Sequence, residues 1–157
     1  NHVFGIFTSF SPFVAGGTQK SVAIAISNTL SNTGLIWDIL TLPLTKHNAT
    51  GNNGSSTSEY LVNVITTETT ANLTINASGA LTSGGNTIAV GNIKYKYSAT
   101  NASVPGTTLT DMATTRASIG NSLSNNTNTS LKFFLTVPSS QSAGNYTNTI
   151  EIRGVAS

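Results

Sequence analysis

Residues 70–78, TANLTINAS, alternate strictly: Leu73 and Ile75 fall on one side of an extended chain, Asn72, Thr74 and Asn76 on the other. A period of two is the mark of a half-buried β-strand, whereas a helix would scatter the same apolar side chains around its circumference. The pattern recurs along the chain. Residues 18–28 place Val22, Ile24 and Ile26 on one face, and residues 92–98 (NIKYKYS) alternate Ile93, Tyr95 and Tyr97 with Lys94 and Lys96. Residues 59–66 (EYLVNVIT), 87–90 and 130–137 (SLKFFLTV) read as further strands, the last leading through PSSQSAG into 145–153 (NYTNTIEIR) as a closing hairpin. Residues 35–44 (LIWDILTLPL) are apolar on both sides, as a central strand is, and Pro43 marks their end. Residues 47–58 (HNATGNNGSSTS) read as a polar loop, and 111–119 (DMATTRASI) suit a short helix or a strand, with the helix favoured. Eight or nine short strands separated by Gly, Asn, Ser and Thr define an all-β sandwich.

Asn, Ser and Thr make up 64 of the 157 residues, while charged residues are 8% of the chain against roughly 25% in an ordinary domain. Hydroxyls and amides, or groups attached to them, must therefore wet the surface. So few carboxylates also make folding depend weakly on pH, which suits an acidic exterior. The net charge of +2 is too small for a nucleic-acid footprint, and Lys94, Lys96 and Lys132 are not joined in one basic run. No apolar run approaches a membrane span. Without cysteine there are neither disulfides nor thiolate metal sites. The chain starts at Asn1 with no basic region ahead of its apolar segment, which reads as a mature extracellular protein whose leader has been cleaved.

The groups available for catalysis are His2, His47, Asp38, Asp111, Glu59, Glu68 and Glu151. None falls in a GxSxG, HExxH or P-loop pattern, and the cluster 51–58 has no Asp for a calcium loop. The expectation is a non-enzyme without catalytic residues, metal or cofactor.

One motif does repeat. Asn-x-Ser/Thr occurs at Asn48, Asn53, Asn72, Asn76, Asn101, Asn125, Asn128 and Asn145, against about five expected from composition for this acceptor pattern. Asn72 and Asn76 lie opposite Leu73 and Ile75, Asn145 opposite Tyr146, and the other five in predicted loops. All eight are candidate N-glycosylation sites, with Asn125 and Asn128 close enough to compete.

The first thirteen residues hold Phe4, Phe7, Phe10 and Phe13, four of the six Phe in the chain. A helix here is disfavoured by Gly5, Thr8, Ser9, Ser11 and Pro12. As a strand, Phe4, Ile6 and Phe10 face one way and Val3, Phe7 and Phe13 the other. Such a strand either tucks into its own sandwich or leaves it to complete a neighbouring copy. The second reading is favoured because the segment is apolar on both faces and joined to the rest by Gly16-Gly17, a hinge. Fifteen extended residues reach about 50 Å, and six large apolar side chains supply on the order of 10 kcal/mol on burial. The chain thus divides into a donor strand and hinge at 1–17 and a β-sandwich head at 18–157.

Taken together, the apolar start NHVFGIFTSF, the Ser/Thr/Asn-rich strands, the glycosylation motifs and the ending VPSSQSAGNYTNTIEIRG resemble subunits of archaeal surface filaments assembled by donor-strand exchange, especially the glycosylated thread pili of thermoacidophilic archaea. Bundling pili and bacterial biofilm-matrix fibres are related in architecture. The ending resembles the last hairpin of immunoglobulin-like surface domains, and an immunoglobulin-like or jelly-roll-like sandwich is the expected form. The resemblance implies export through a cleaved signal peptide, a cell-surface homopolymer of identical subunits, and adhesion to cells or surfaces or biofilm formation. Amide links through Asp38, Asp111, the lysines or the Asn1 amine are a possible reinforcement. The alternatives are a monomeric carbohydrate-binding sandwich using Trp37, Tyr60 or Tyr95, and a surface-layer or viral coat subunit.

Overall fold

A computed structural model of the chain describes residues 20–26, 34–49, 60–98 and 108–157. The expected donor strand 1–15 with its Val3, Phe4, Ile6, Phe7, Phe10 and Phe13, the hinge Gly16-Gly17, and Asn53 and Asn101 lie outside these residues.

The described residues form eleven strands, a single 3-10 turn at Val90–Asn92, and no α-helix. The strands are β1 (Ser21–Ile26), β2 (Leu44–Asn48), β3 (Leu61–Thr67), β4 (Ala71–Ala77), β5 (Leu81–Ser83), β6 (Asn86–Ile88), β7 (Ile93–Ser98), β8 (Thr110–Asp111), β9 (Ala117–Leu123), β10 (Thr127–Val137) and β11 (Ile150–Ala156). All pairings are antiparallel. One sheet runs β1-β3-β10-β7-β8, with β2 also paired to β10; a second runs β11-β4-β9. A small hairpin, β5-β6, turns at Gly84-Gly85, where Gly84 takes φ 57°. That left-handed value is open to Gly without strain.

Strand β10 is the spine of the first sheet. It pairs β7 through Ser130–Leu135 on one edge, and on the other it pairs β3 through Thr127–Ser130 and then β2 through Phe134–Val137. Between those two partners, Leu131 N–H donates to the Tyr60 carbonyl (2.9 Å) and Ala49 N–H to the Phe133 carbonyl (3.0 Å). β10 is thereby flanked on both sides along Ser130–Leu135.

The core lies between the two sheets. Leu73 and Ile75 of β4, Val62 and Val64 of β3, Ile93 and Tyr95 of β7, Leu131 and Phe133 of β10 and Ile150 and Ile152 of β11 are all buried, as strand alternation requires. The Tyr60 and Phe133 rings meet edge to face at 6.0 Å. Strand β1 crosses directly over β11: a Cβ at Gly154 would lie 2.9 Å from Ile24 Cγ2 and 3.2 Å from Val22 Cγ1. The result is an all-β, sandwich-like arrangement of antiparallel sheets.

Several local expectations need correction. Residues 34–40 join no sheet, Gly34 takes φ 72°, and pairing starts only at Leu44. Their burial comes from Leu35, Trp37 and Ile39 packing on the core. His47 and Asn48 belong to β2, not to a loop. Residues 111–119 hold no helix, because Met112 N–H donates to the Ile93 carbonyl (2.8 Å) and the Ala113 carbonyl accepts from Ala77 N–H (2.9 Å). These long-range bonds outweigh local preference. The closing hairpin is absent as well: β10 and β11 lie in different sheets, and residues 145–149 contribute only an isolated bridge, Thr147 to Thr82. Tyr97, expected in the core, is 38% exposed at the end of β7.

Candidate functional site

A cleft of about 230 Å³ opens beside the core. One wall is the segment 35–39, the other is 144–148, and Leu81, Ile88, Leu135 and Ile150 contribute apolar surface between them. Alternation shapes the first wall: Leu35, Trp37 and Ile39 pack on the core, while Asp38 and Leu40 are exposed, Leu40 almost wholly at 95%. Trp37 donates from Nε1 to the His47 carbonyl (3.2 Å), which ties the segment to β2. Among the described residues, the backbone of 35–40 makes no hydrogen bond. Backbone without a hydrogen-bond partner is costly where it adjoins buried surface.

The second wall is latched on its far side. Thr147 exchanges both backbone hydrogen bonds with Thr82 (3.0 Å each), Ser78 N–H donates to the Thr149 carbonyl (2.8 Å), and Asn148 Nδ2 donates to the Gly79 carbonyl (3.1 Å). Tyr146 packs on the core with its hydroxyl fixed, donating to the Ser142 carbonyl (2.8 Å) and accepting from Gln141 Nε2 (2.6 Å). Gly144 permits the approach to β5, since a Cβ there would sit 2.5 Å from Ser83 Oγ. Among the described residues, Asp38 is the sole charged one lining the cleft.

No two of the described catalytic candidates form an acid–base pair. Asp111 contacts Lys94, Glu151 contacts Arg116, and His47 stands exposed on β2. No group of three His, Cys, Asp or Glu is assembled among the described residues, and no helix there is long and apolar enough to cross a membrane. Of the aromatic residues considered for sugar stacking, Tyr60 and Tyr95 are buried. Burial, reinforced by the neighbouring Tyr97, raises the Tyr95 phenol above its ordinary pKa.

Asn72 and Asn76 lie on the face of β4 opposite Leu73 and Ile75, as their spacing indicates, but both are half-buried. Asn48 and Asn128 sit within β2 and β10 and are also half-buried, whereas Asn125 in a turn and Asn145 beside the cleft are exposed. Sequence reasoning missed one arrangement altogether. Lys96 and Lys132, 36 positions apart, face each other across β7 and β10, with Lys94 one step along the same face. Only strand register could reveal it.

In comparisons with known proteins, no family model matches this chain and no curated protein sequence matches it.

Proposed function

We propose that this chain is the structural subunit of an extracellular, glycosylated filament that polymerises head to tail by donor-strand complementation, residues 1–15 of one copy occupying the cleft of the next. The observation carrying this reading is the segment 35–40: packed on the core through Leu35, Trp37 and Ile39, bordering an open cleft, and with no backbone partner among the described residues. An added strand would pair that segment and cover the half-buried Ile36 and Tyr146, giving both main-chain hydrogen bonds and apolar burial. The segment 1–15 has the matching chemistry, with Phe4, Ile6 and Phe10 on one face and Val3, Phe7 and Phe13 on the other. Archaeal donor-strand filaments such as thread pili supply the precedent, and adhesion or biofilm formation at a cell surface is the corresponding role. A monomeric sugar-binding sandwich is less well supported, because Tyr60 and Tyr95 are buried.

The test compares the full chain, a Phe7→Glu/Phe10→Glu double variant and residues 16–157 by negative-stain microscopy and light scattering. Filaments from the unaltered chain alone are expected. Identical monomers from all three would refute the proposal.

A further inference from the structure

We infer that, of the six motif asparagines among the described residues, Asn145 is the one the folded domain offers for N-linked glycan attachment, so that the first sugar stands on the rim of the cleft. This deepens the glycan part of the proposed function and rests on it, while remaining independent of strand exchange. Attachment joins Asn Nδ2 to the anomeric carbon of a lipid-diphosphate-linked sugar; the lipid diphosphate leaves, and the Nδ2 proton passes to a base of the transferase. The acceptor must present a free amide and a free hydroxyl two residues on.

Six of the eight motifs have their asparagine among the described residues, and in five of those the amide or the hydroxyl is hydrogen-bonded or enclosed. Asn48 is half-buried with its Oδ1 enclosed. Asn72 accepts from Ser122 N–H (2.8 Å), and the Thr74 hydroxyl donates to the Arg153 carbonyl (3.4 Å). Asn76 donates from Nδ2 to the Thr114 carbonyl (3.2 Å), its Oδ1 is enclosed, and Ser78 Oγ accepts from Thr149 N–H (3.1 Å). Asn125 is exposed, yet its Oδ1 accepts from Thr66 N–H (3.0 Å). Asn128 accepts from Asn63 Nδ2 (2.8 Å), and Ser130 is 1% exposed.

Asn145 differs on every count. It is exposed, and its side chain has no hydrogen-bond partner among the described residues. Thr147 is exposed too and is held to Thr82 through its backbone alone, leaving the hydroxyl available. Tyr146 between them turns inward onto the core. The motif is therefore rigid in backbone and open in side chain.

The experiment incubates folded full-length protein, and separately the urea-unfolded chain, with a purified oligosaccharyltransferase and its lipid-linked donor. Occupancy at each site is followed by glycopeptide mass spectrometry. Asn48 and Asn76 must break local contacts before reacting, so Asn145 should be modified about tenfold faster or more in the folded protein, and the difference should vanish in urea. Thr147→Ala should abolish modification at Asn145 and Thr147→Ser restore it. Equal or faster reaction at Asn48 or Asn76 in the folded protein, or an unmodified Asn145, would overturn the inference. Filament formation is scored on the same samples. A modified Asn145 without filaments keeps this inference and removes the strand-exchange reading, and filaments with an unmodified Asn145 do the reverse.

Discussion

Tyr95 carries a phenol into the core of the first sheet, where its ring lies 6.5 Å from that of Tyr97. Burial first, and Tyr97 second, raise its pKa. A raised acid favours the protonated form in the folded state, so its contribution is intact below the unfolded value of about 10 and is lost as pH climbs past it. Unfolding free energy should therefore hold steady up to about pH 9 and then fall, and Tyr95→Phe should lessen that fall. Urea titrations of both proteins between pH 7 and 11 check this; an unchanged alkaline slope in the variant would count against it. Residue-level placement was legible wherever a side chain had one dominant requirement. Leu73 and Ile75 had to be buried and are. It was not legible where placement depends on a strand remote in sequence, as with Lys96 opposite Lys132, or Asn76 donating to Thr114.

Strand β10 shows what alternation determines at the scale of an element. Leu131, Phe133, Leu135 and Val137 are buried while Lys132, Phe134 and Thr136 are half-buried on the other face, so two adjacent phenylalanines have unequal roles. Phe133→Ala should cost about 3–5 kcal/mol, as large-to-small changes in a packed core do. Phe134→Ala should cost about 1 kcal/mol or less. Equal losses in chemical denaturation of the two variants would mean that the face assignment is wrong. The same alternation made β3, β4 and β7 readable from sequence. It failed for 35–44, where a run apolar on both sides fits a buried strand and a core-covering segment equally well. It failed also at 111–119 and 145–149, whose conformations depend on hydrogen bonds to Ile93, Ala77, Ser78 and Thr82. Of the candidate site, the apolar run and the Asn145 motif were visible in the sequence. Their convergence on one cleft was not, since it brings together segments remote in sequence.

For the whole molecule, strand exchange makes stability a function of concentration. A strand supplied by a neighbour stabilises the acceptor as any ligand of the folded state does, by RT ln(1 + [L]/Kd). Each tenfold rise in subunit concentration above Kd then adds about 1.4 kcal/mol. At roughly 2–4 °C per kcal/mol for a chain of this size, Tm should climb by about 3–6 °C per decade. A strand tucked into its own sandwich gives a Tm independent of concentration, because donor and acceptor are one molecule. The Phe7→Glu/Phe10→Glu variant is the control: it should melt at one temperature at every concentration, below the unaltered chain. The contact between donor and cleft is also heterologous, joining two different surfaces, so it need not close into a dimer and can propagate. Sedimentation should therefore show a continuous series of sizes growing with concentration. A concentration-independent Tm in the unaltered chain, or association that stops at two copies, would refute a filament built by strand exchange.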